Sequence, residues 1–163
     1  MLPDHLSHGL DILFCGTAAG LKSAVRGHYY AGPGNRFWRL LHETGLTPDR
    51  LGPDDDHRLP SLGLGLTDLA KGVAGMDKDI PPEAYLPERL AGIIRHYRPR
   101  AVAFTSLTAA RLALGDKSVA TGPRHDPRWP GVTLWALSSP SGANGHFSAQ
   151  SWQDLGQWHG SLT

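Results

Sequence analysis

The chain has one cysteine, no long apolar run and almost no net charge, and each shortage removes a class of protein. A single cysteine among 163 residues, Cys15, rules out an internal disulfide and cannot supply the several thiolates of an iron–sulfur cluster. No apolar stretch approaches the ~20 residues a membrane helix needs, and the opening MLPDHLSHGL has neither the basic start nor the apolar core of a signal peptide. The expectation is therefore a soluble, cytoplasmic single domain, residues 1–163, with no membrane contact. Sixteen Lys and Arg against fifteen Asp and Glu leave a formal charge of +1, so no global field steers the chain toward nucleic acid. Local groups must then carry any phosphate binding. Two offer themselves, Lys22 with Arg26 and Arg36, and Arg124 with Arg128, and both also read as solvated faces.

What is present is a 40% apolar composition, enough for a sizeable core, distributed in alternating strand and helix patterns. The run Ile12-Leu13-Phe14-Cys15 stops abruptly at Gly16 and reads as a buried parallel strand. Ala101 to Thr105 and Val132 to Leu137 read the same way. The Leu-Gly alternation from Leu62 to Leu66 reads as an extended segment whose end delivers Asp68 to the rim beside Gly16. Apolar residues at helical spacing mark helices over 36–44, 82–97, 107–114 and 148–158. Strands alternating with helices indicate an α/β three-layer sandwich with a mostly parallel central sheet flanked by helices. The lead-in 1–9, the glycine-rich stretch after Gly16 and the segment 121–127 read as irregular. Ala70-Lys71-Gly72 and residues 76–79 read as surface, and Trp129 as a loop residue open to solvent. Asp54-Asp55-Asp56-His57 invites a metal, but adjacent carboxylates point apart and no second ligand cluster follows, so a solvated turn or short helix is expected there and no metal or cofactor.

In an open α/β sheet, small molecules bind beyond the carboxyl ends of the strands, which places the residues from Gly16 onward in the site. Gly16-x-x-x-Gly20-Leu21-x-Ser23-Ala24 followed by Ala31-x-Pro33-x-Asn35-Arg36-Phe37-Trp38 resembles the first motif region of the mismatch-specific uracil-DNA glycosylases, relatives of thymine-DNA glycosylase. Near the other end, Leu134-Trp135-Ala136-Leu137-Ser138-Ser139-Pro140-Ser141-Gly142 resembles the strand and loop with which that family enters DNA. The resemblance covers nearly the whole chain and implies a uracil-DNA glycosylase-like fold. The implied activity is a monofunctional DNA-repair enzyme that flips uracil, and other damaged pyrimidines, from DNA and hydrolyses the N-glycosidic bond. The implied partner is DNA as mismatched duplex; the small residues Ala143 and Gly145 where the family is bulkier extend the expectation to single strands, and the lack of a strong oligomerisation stripe makes a monomer the expectation.

The resemblance also assigns residues. Tyr30 falls where the family stacks an aromatic ring on the flipped base, its alternative being a loop tyrosine packed on the core. Thr17, Ala18, Gly20, Ser23 and Asn35 complete the base pocket, Asn35 serving equally well as a helix N-cap. The family's usual motif-one asparagine is missing, because Ala18 occupies its position. Asp68 is the candidate replacement, since an ionised carboxylate, with no raised pKa needed, can face a developing oxocarbenium ion and accept a proton from water. It reads otherwise as a turn residue. His28 and His146 are the other acid–base candidates. Ser139, Pro140, Ser141, Gly142, Ala143 and Asn144 form the DNA-intercalating or phosphate loop, with Ala143 and Gly145 where the family carries bulkier residues, so His146 or Phe147 would be the wedge. Ser141 lacks the Gly-x-Ser-x-Gly context of a serine nucleophile. Two other classes stay open: a non-catalytic DNA-binding relative that lost the asparagine, and a generic nucleotide binder using Gly16 to Gly20.

Overall fold

The computed structural model describes residues 2–162. Its sheet is built from β1 (Ile12–Gly16), β2 (Leu64–Asp68), β3 (Ala101–Phe104), β4 (Gly122–Arg124) and β5 (Thr133–Ala136), in the spatial order β2-β1-β3-β5-β4. The pairs β1–β2, β1–β3 and β3–β5 are parallel, and only β4 runs antiparallel, on β5. The helices are α1 (Leu21–Arg26), α2 (Phe37–Glu43), α3 (Pro87–Tyr97), α4 (Leu107–Leu114) and α5 (Gln150–Gly160).

The side-chain period of two makes three layers from these elements. Ile12, Phe14, Leu64, Leu66, Ala101, Ala103 and Trp135 point to one face and pack with Phe37, Trp38, Leu40 and Leu41 of α2 and Trp152 and Leu155 of α5. Leu13, Cys15, Val102, Phe104, Leu134 and Ala136 point to the other and pack with Leu90 and Ile94 of α3 and Ala109, Ala110 and Ala113 of α4. Both faces are covered, which is why the parallel strands read as continuous apolar runs. The expected α/β three-layer sandwich is the architecture found.

Several local expectations are corrected. The glycine-rich stretch contains α1, a six-residue helix closed by Gly27 at φ 76°. The helix expected from Pro82 divides: Pro82–Ala84 is a single 3₁₀ turn, Leu86 leaves the helical region, and Pro87 opens α3 at its first position. Proline disfavours helical backbone in the residue before it, which accounts for the break. Gly122–Arg124, expected to be irregular, is an edge strand, the position in a sheet where Pro123 can sit. Trp129 is buried, with the Arg128 guanidinium 4.5 Å from its ring centre. The lead-in is irregular as expected but pairs at one point, where His5 exchanges two backbone hydrogen bonds with Leu66 and covers the outer edge of β2. Gly65 makes that approach possible, since a Cβ there would meet Leu10 Cδ1 at 2.5 Å and the His5 carbonyl at 3.0 Å.

Of the two forms expected around Asp54-Asp55-Asp56-His57, a solvated turn or a short helix, the structure has the helix, the 3₁₀ segment Pro53–Leu62. Asp56 within it is 2% exposed and accepts hydrogen bonds from the Tyr29 N–H at 3.1 Å and the His28 ring at 3.2 Å. It anchors the loop that carries Tyr30.

Candidate active site

Parallel strands in register bring their carboxyl ends to one rim. Gly16 at the end of β1 lies opposite Asp68 at the end of β2, and Thr105 follows β3 with its N–H bonded to the Cys15 carbonyl. Above this rim opens a cleft of about 730 Å³. Thr17, Ala18, Gly20, Ser23, Tyr30, Asn35, Asp68 and Ser139 through Asn144 all line it, so the residues drawn from the two ends of the sequence share one cavity. Thr105, Ser106, Asp77 and Lys78 line it too, and these four were not anticipated. Thr105 could have been found by applying to β3 the strand-end rule that placed Asp68.

Asp68 is 4% exposed at the floor of the cleft. Burial raises its carboxyl from the ordinary 3.8 to about 6, against the downward pull of Lys71. The group is therefore charged at neutral pH although its environment is poorly solvating. Gly16 has to be glycine here, because a Cβ would stand 2.7 Å from Asp68 Oδ1 and 3.3 Å from Thr105 Oγ1. Lys71, expected at the surface, has a side chain only 12% exposed and places Nζ 3.8 Å from Asp68 Oδ2. Its spacing of three from Asp68 was the available signal.

Tyr30 takes a left-handed backbone, φ 52°, which is uncommon for a bulky residue and is held by its surroundings. Its ring stacks on Phe37 with centroids 3.9 Å apart and planes 18° apart, and its hydroxyl bonds Thr105 Oγ1 at 3.0 Å. Burial and the nearby Asp68 carboxylate push its phenol well up, so it stays neutral. Phe37 is wholly buried, so the part of Tyr30 left accessible is the part lining the cleft. The result is a fixed aromatic wall beside a carboxylate.

The remaining lining residues are mostly engaged in holding the walls. Ser23 Oγ accepts the Ala31 N–H at 2.9 Å, which leaves its O–H as a donor. Asn35 Oδ1 accepts the Phe37 N–H at 2.9 Å at the start of α2 and leaves its amide nitrogen without a hydrogen-bond partner among the described residues. Thr17 donates to Asp77 Oδ1 at 2.6 Å, bridging the first loop to the segment after β2. Arg36 ties the two ends of the chain together: its N–H donates to the Pro140 carbonyl at 2.8 Å, Nη1 donates to the Ser141 carbonyl at 2.7 Å, and its guanidinium lies 4.5 Å from the Phe147 ring centre.

The Uracil DNA glycosylase superfamily is described by a sequence model that matches residues 3–157. The chain belongs to this superfamily. The fold agrees: the solution NMR structure of a candidate uracil DNA glycosylase from Methanosarcina acetivorans superposes with a TM-score of 0.66 at 20% identity, over 99% of this chain and 96% of that one.

Within a superfamily that acts on DNA, the other sequence candidates sort by position. His28 is held between Asp54 and Asp56 and does not line the cleft. Phe147 packs against the core under Arg36, whereas His146 is exposed at the loop tip. The loop itself is a series of tight turns, Ser141 Oγ accepting the Ala143 N–H and the Asn144 amide donating to the Ser139 carbonyl. Of the basic groups, Arg124 is paired with Asp116 and Arg128 with Asp126, and Arg36 is turned inward. Lys22 and Lys78 remain as exposed cations on the cleft lining.

Proposed function

We propose that this chain is a monofunctional glycosylase of the mismatch-specific uracil-DNA type, which removes uracil from DNA and leaves an abasic site. The observation that carries the reading is the buried Asp68 carboxyl standing in one cleft with the Tyr30–Phe37 stack. An extruded pyrimidine stacks on Tyr30, while main-chain groups of the loop Thr17 to Gly20 and the Ser23 hydroxyl meet its carbonyls and imide. As the bond between the base nitrogen and C1′ lengthens, positive charge grows on the sugar and negative charge on the base. Asp68 faces the sugar, stabilises that charge and takes a proton from the water whose oxygen bonds to C1′; the base leaves as an anion and is protonated from solvent. Asp68 thereby supplies what Ala18 cannot.

Lys22 and Lys78 at the rim suit phosphates on either side of the extruded nucleotide. The loop Ser139 to Asn144 enters the duplex, with exposed His146 as its wedge. Ala143 and Gly145 make a small plug, so dependence on the opposite base is weak and single-stranded DNA is also cut. The protein acts as a cytoplasmic monomer.

The test is single-turnover release of uracil from labelled G·U, A·U and single-stranded DNA by the unaltered protein and by Asp68→Asn. A loss of about a hundredfold or more in the variant, the scale of a positioned acid–base group, is expected. Equal rates would remove Asp68 from the chemistry. Binding without cleavage by both proteins would favour the reading that Ala18 suggests, a DNA-binding relative without activity.

A further inference from the structure

A buried carboxylate that must stay charged needs a counter-charge, and the obvious partner, a hydrogen-bonded cation, would occupy the oxygens the reaction uses. The neighbourhood of Asp68 resolves this conflict. Lys71 Nζ has three N–H donors, and three acceptors surround it: the Leu2 carbonyl at 3.1 Å, the Tyr29 hydroxyl at 2.8 Å and Asp4 Oδ1 at 3.0 Å. Tyr29 is fixed in turn by donating to the Pro3 carbonyl at 2.9 Å, and Asp4 by Arg89 and by the Thr67 hydroxyl at 2.7 Å. Asp68 Oδ2, at 3.8 Å, receives the field of the ammonium but none of its hydrogen bonds. Both side chains line a small chamber of about 100 Å³ beside the main cleft.

We propose that Lys71, pinned by the lead-in residues Leu2 and Asp4, is the positioning residue that keeps Asp68 charged while leaving its oxygens free for water and sugar. Among the described residues, nothing else near Asp68 supplies positive charge so directly. Cys15 on β1 and Tyr29 and Tyr30 on the loop after α1 are neutral acids whose ionisation is suppressed by burial, with Asp68 adding to it. Arg89 on α3 donates to the Asp68 main-chain carbonyl and spends its charge on Asp4. Asp77 and Lys78 lie across the cleft at its exposed lining. The lead-in therefore takes part in the site through Lys71. The inference rests on the glycosylase reading only for its consequence in catalysis.

The experiment is a carbon-detected NMR titration of the Asp68 carboxyl in protein labelled at aspartate, assigned by loss of the signal in Asp68→Asn, alongside the pH dependence of single-turnover uracil release. Lys71→Met is expected to move the Asp68 midpoint upward by about 1 to 3 pH units, the effect of losing one opposite charge within 4–6 Å. The acid limb of the rate should follow, with the plateau at high pH retained. Asp4→Asn removes a competing anion and should move both downward, a second variant of opposite sign should Lys71→Met not fold. A midpoint unmoved by Lys71→Met, or moved the same way by both variants, overturns the inference. A midpoint that moves while the rate profile stays fixed also overturns it. If the unaltered protein releases no uracil, the titration still decides the role of Lys71, and the glycosylase reading fails separately.

Discussion

If Asp68 serves chemistry rather than folding, removing its charge should stabilise the protein. An acid whose folded pKa lies above its unfolded one binds more protons in the native state between the two values, so stability falls as pH rises through that window. For Asp68 the window runs from the ordinary 3.8 to about 6. At ~1.4 kcal/mol per pH unit, the charged native state carries a cost of roughly 3 kcal/mol above pH 6 that is absent below pH 4. Asp68→Asn does not titrate and escapes this cost. It also withdraws one of the two carboxylates near Lys71, which trims the gain, but Asp4 stays 3.0 Å from Nζ. Urea unfolding of both proteins at half-unit steps from pH 4 to 8 is the assay. The stability of the variant relative to the unaltered protein should climb by roughly 2 to 3 kcal/mol between pH 4 and 6.5 and then level off. A difference flat across that range, or one that favours the unaltered carboxylate as pH rises, would refute the assignment of Asp68 as a destabilised, functionally retained charge.

Two substitutions test the walls of the cleft. Tyr30→Ala removes the surface for the base and should lower single-turnover efficiency about 10- to 100-fold, the worth of one base–aromatic stack, while Tyr30→Phe loses only the bond to Thr105 and should stay within about fivefold. In Gly142→Ala the new methyl would lie 3.0 Å from the Pro33 carbonyl and 3.1 and 3.2 Å from the Gly34 backbone, atoms that cannot turn aside, so urea unfolding should show a loss of about 1 to 3 kcal/mol. The control is Gly145→Ala, where nothing lies within 4 Å and the change should be within about 0.5 kcal/mol.

The parts of the molecule that sequence reasoning reached are those governed by local rules. Strand period and parallel topology fix where β1 and β2 end, so Asp68 beside Gly16 follows from the pattern alone. Lys71 escaped because charged residues are ordinarily exposed, and only the fold reveals that three acceptors from the lead-in and the Tyr29 loop converge on it. Asp56 escaped for the same reason: its burial depends on the Tyr29 N–H, a donor that belongs to another segment. The approach of Gly142 to Gly34 likewise joins two glycines with no local periodicity to announce them. What these misses share is a polar or backbone group satisfied across the chain rather than along it. Buried polar groups need partners wherever they are found, so a single sequence shows the charge without showing the partner. The same logic explains why the site rests on such groups. Apolar packing fills space on both faces of this sheet and tolerates exchange among similar shapes, whereas a carboxylate held at the edge of ionisation depends on one ammonium, three acceptors and a glycine without a side chain. That dependence makes Lys71, Asp4 and Gly16 the positions at which a conservative substitution should disturb chemistry more than stability.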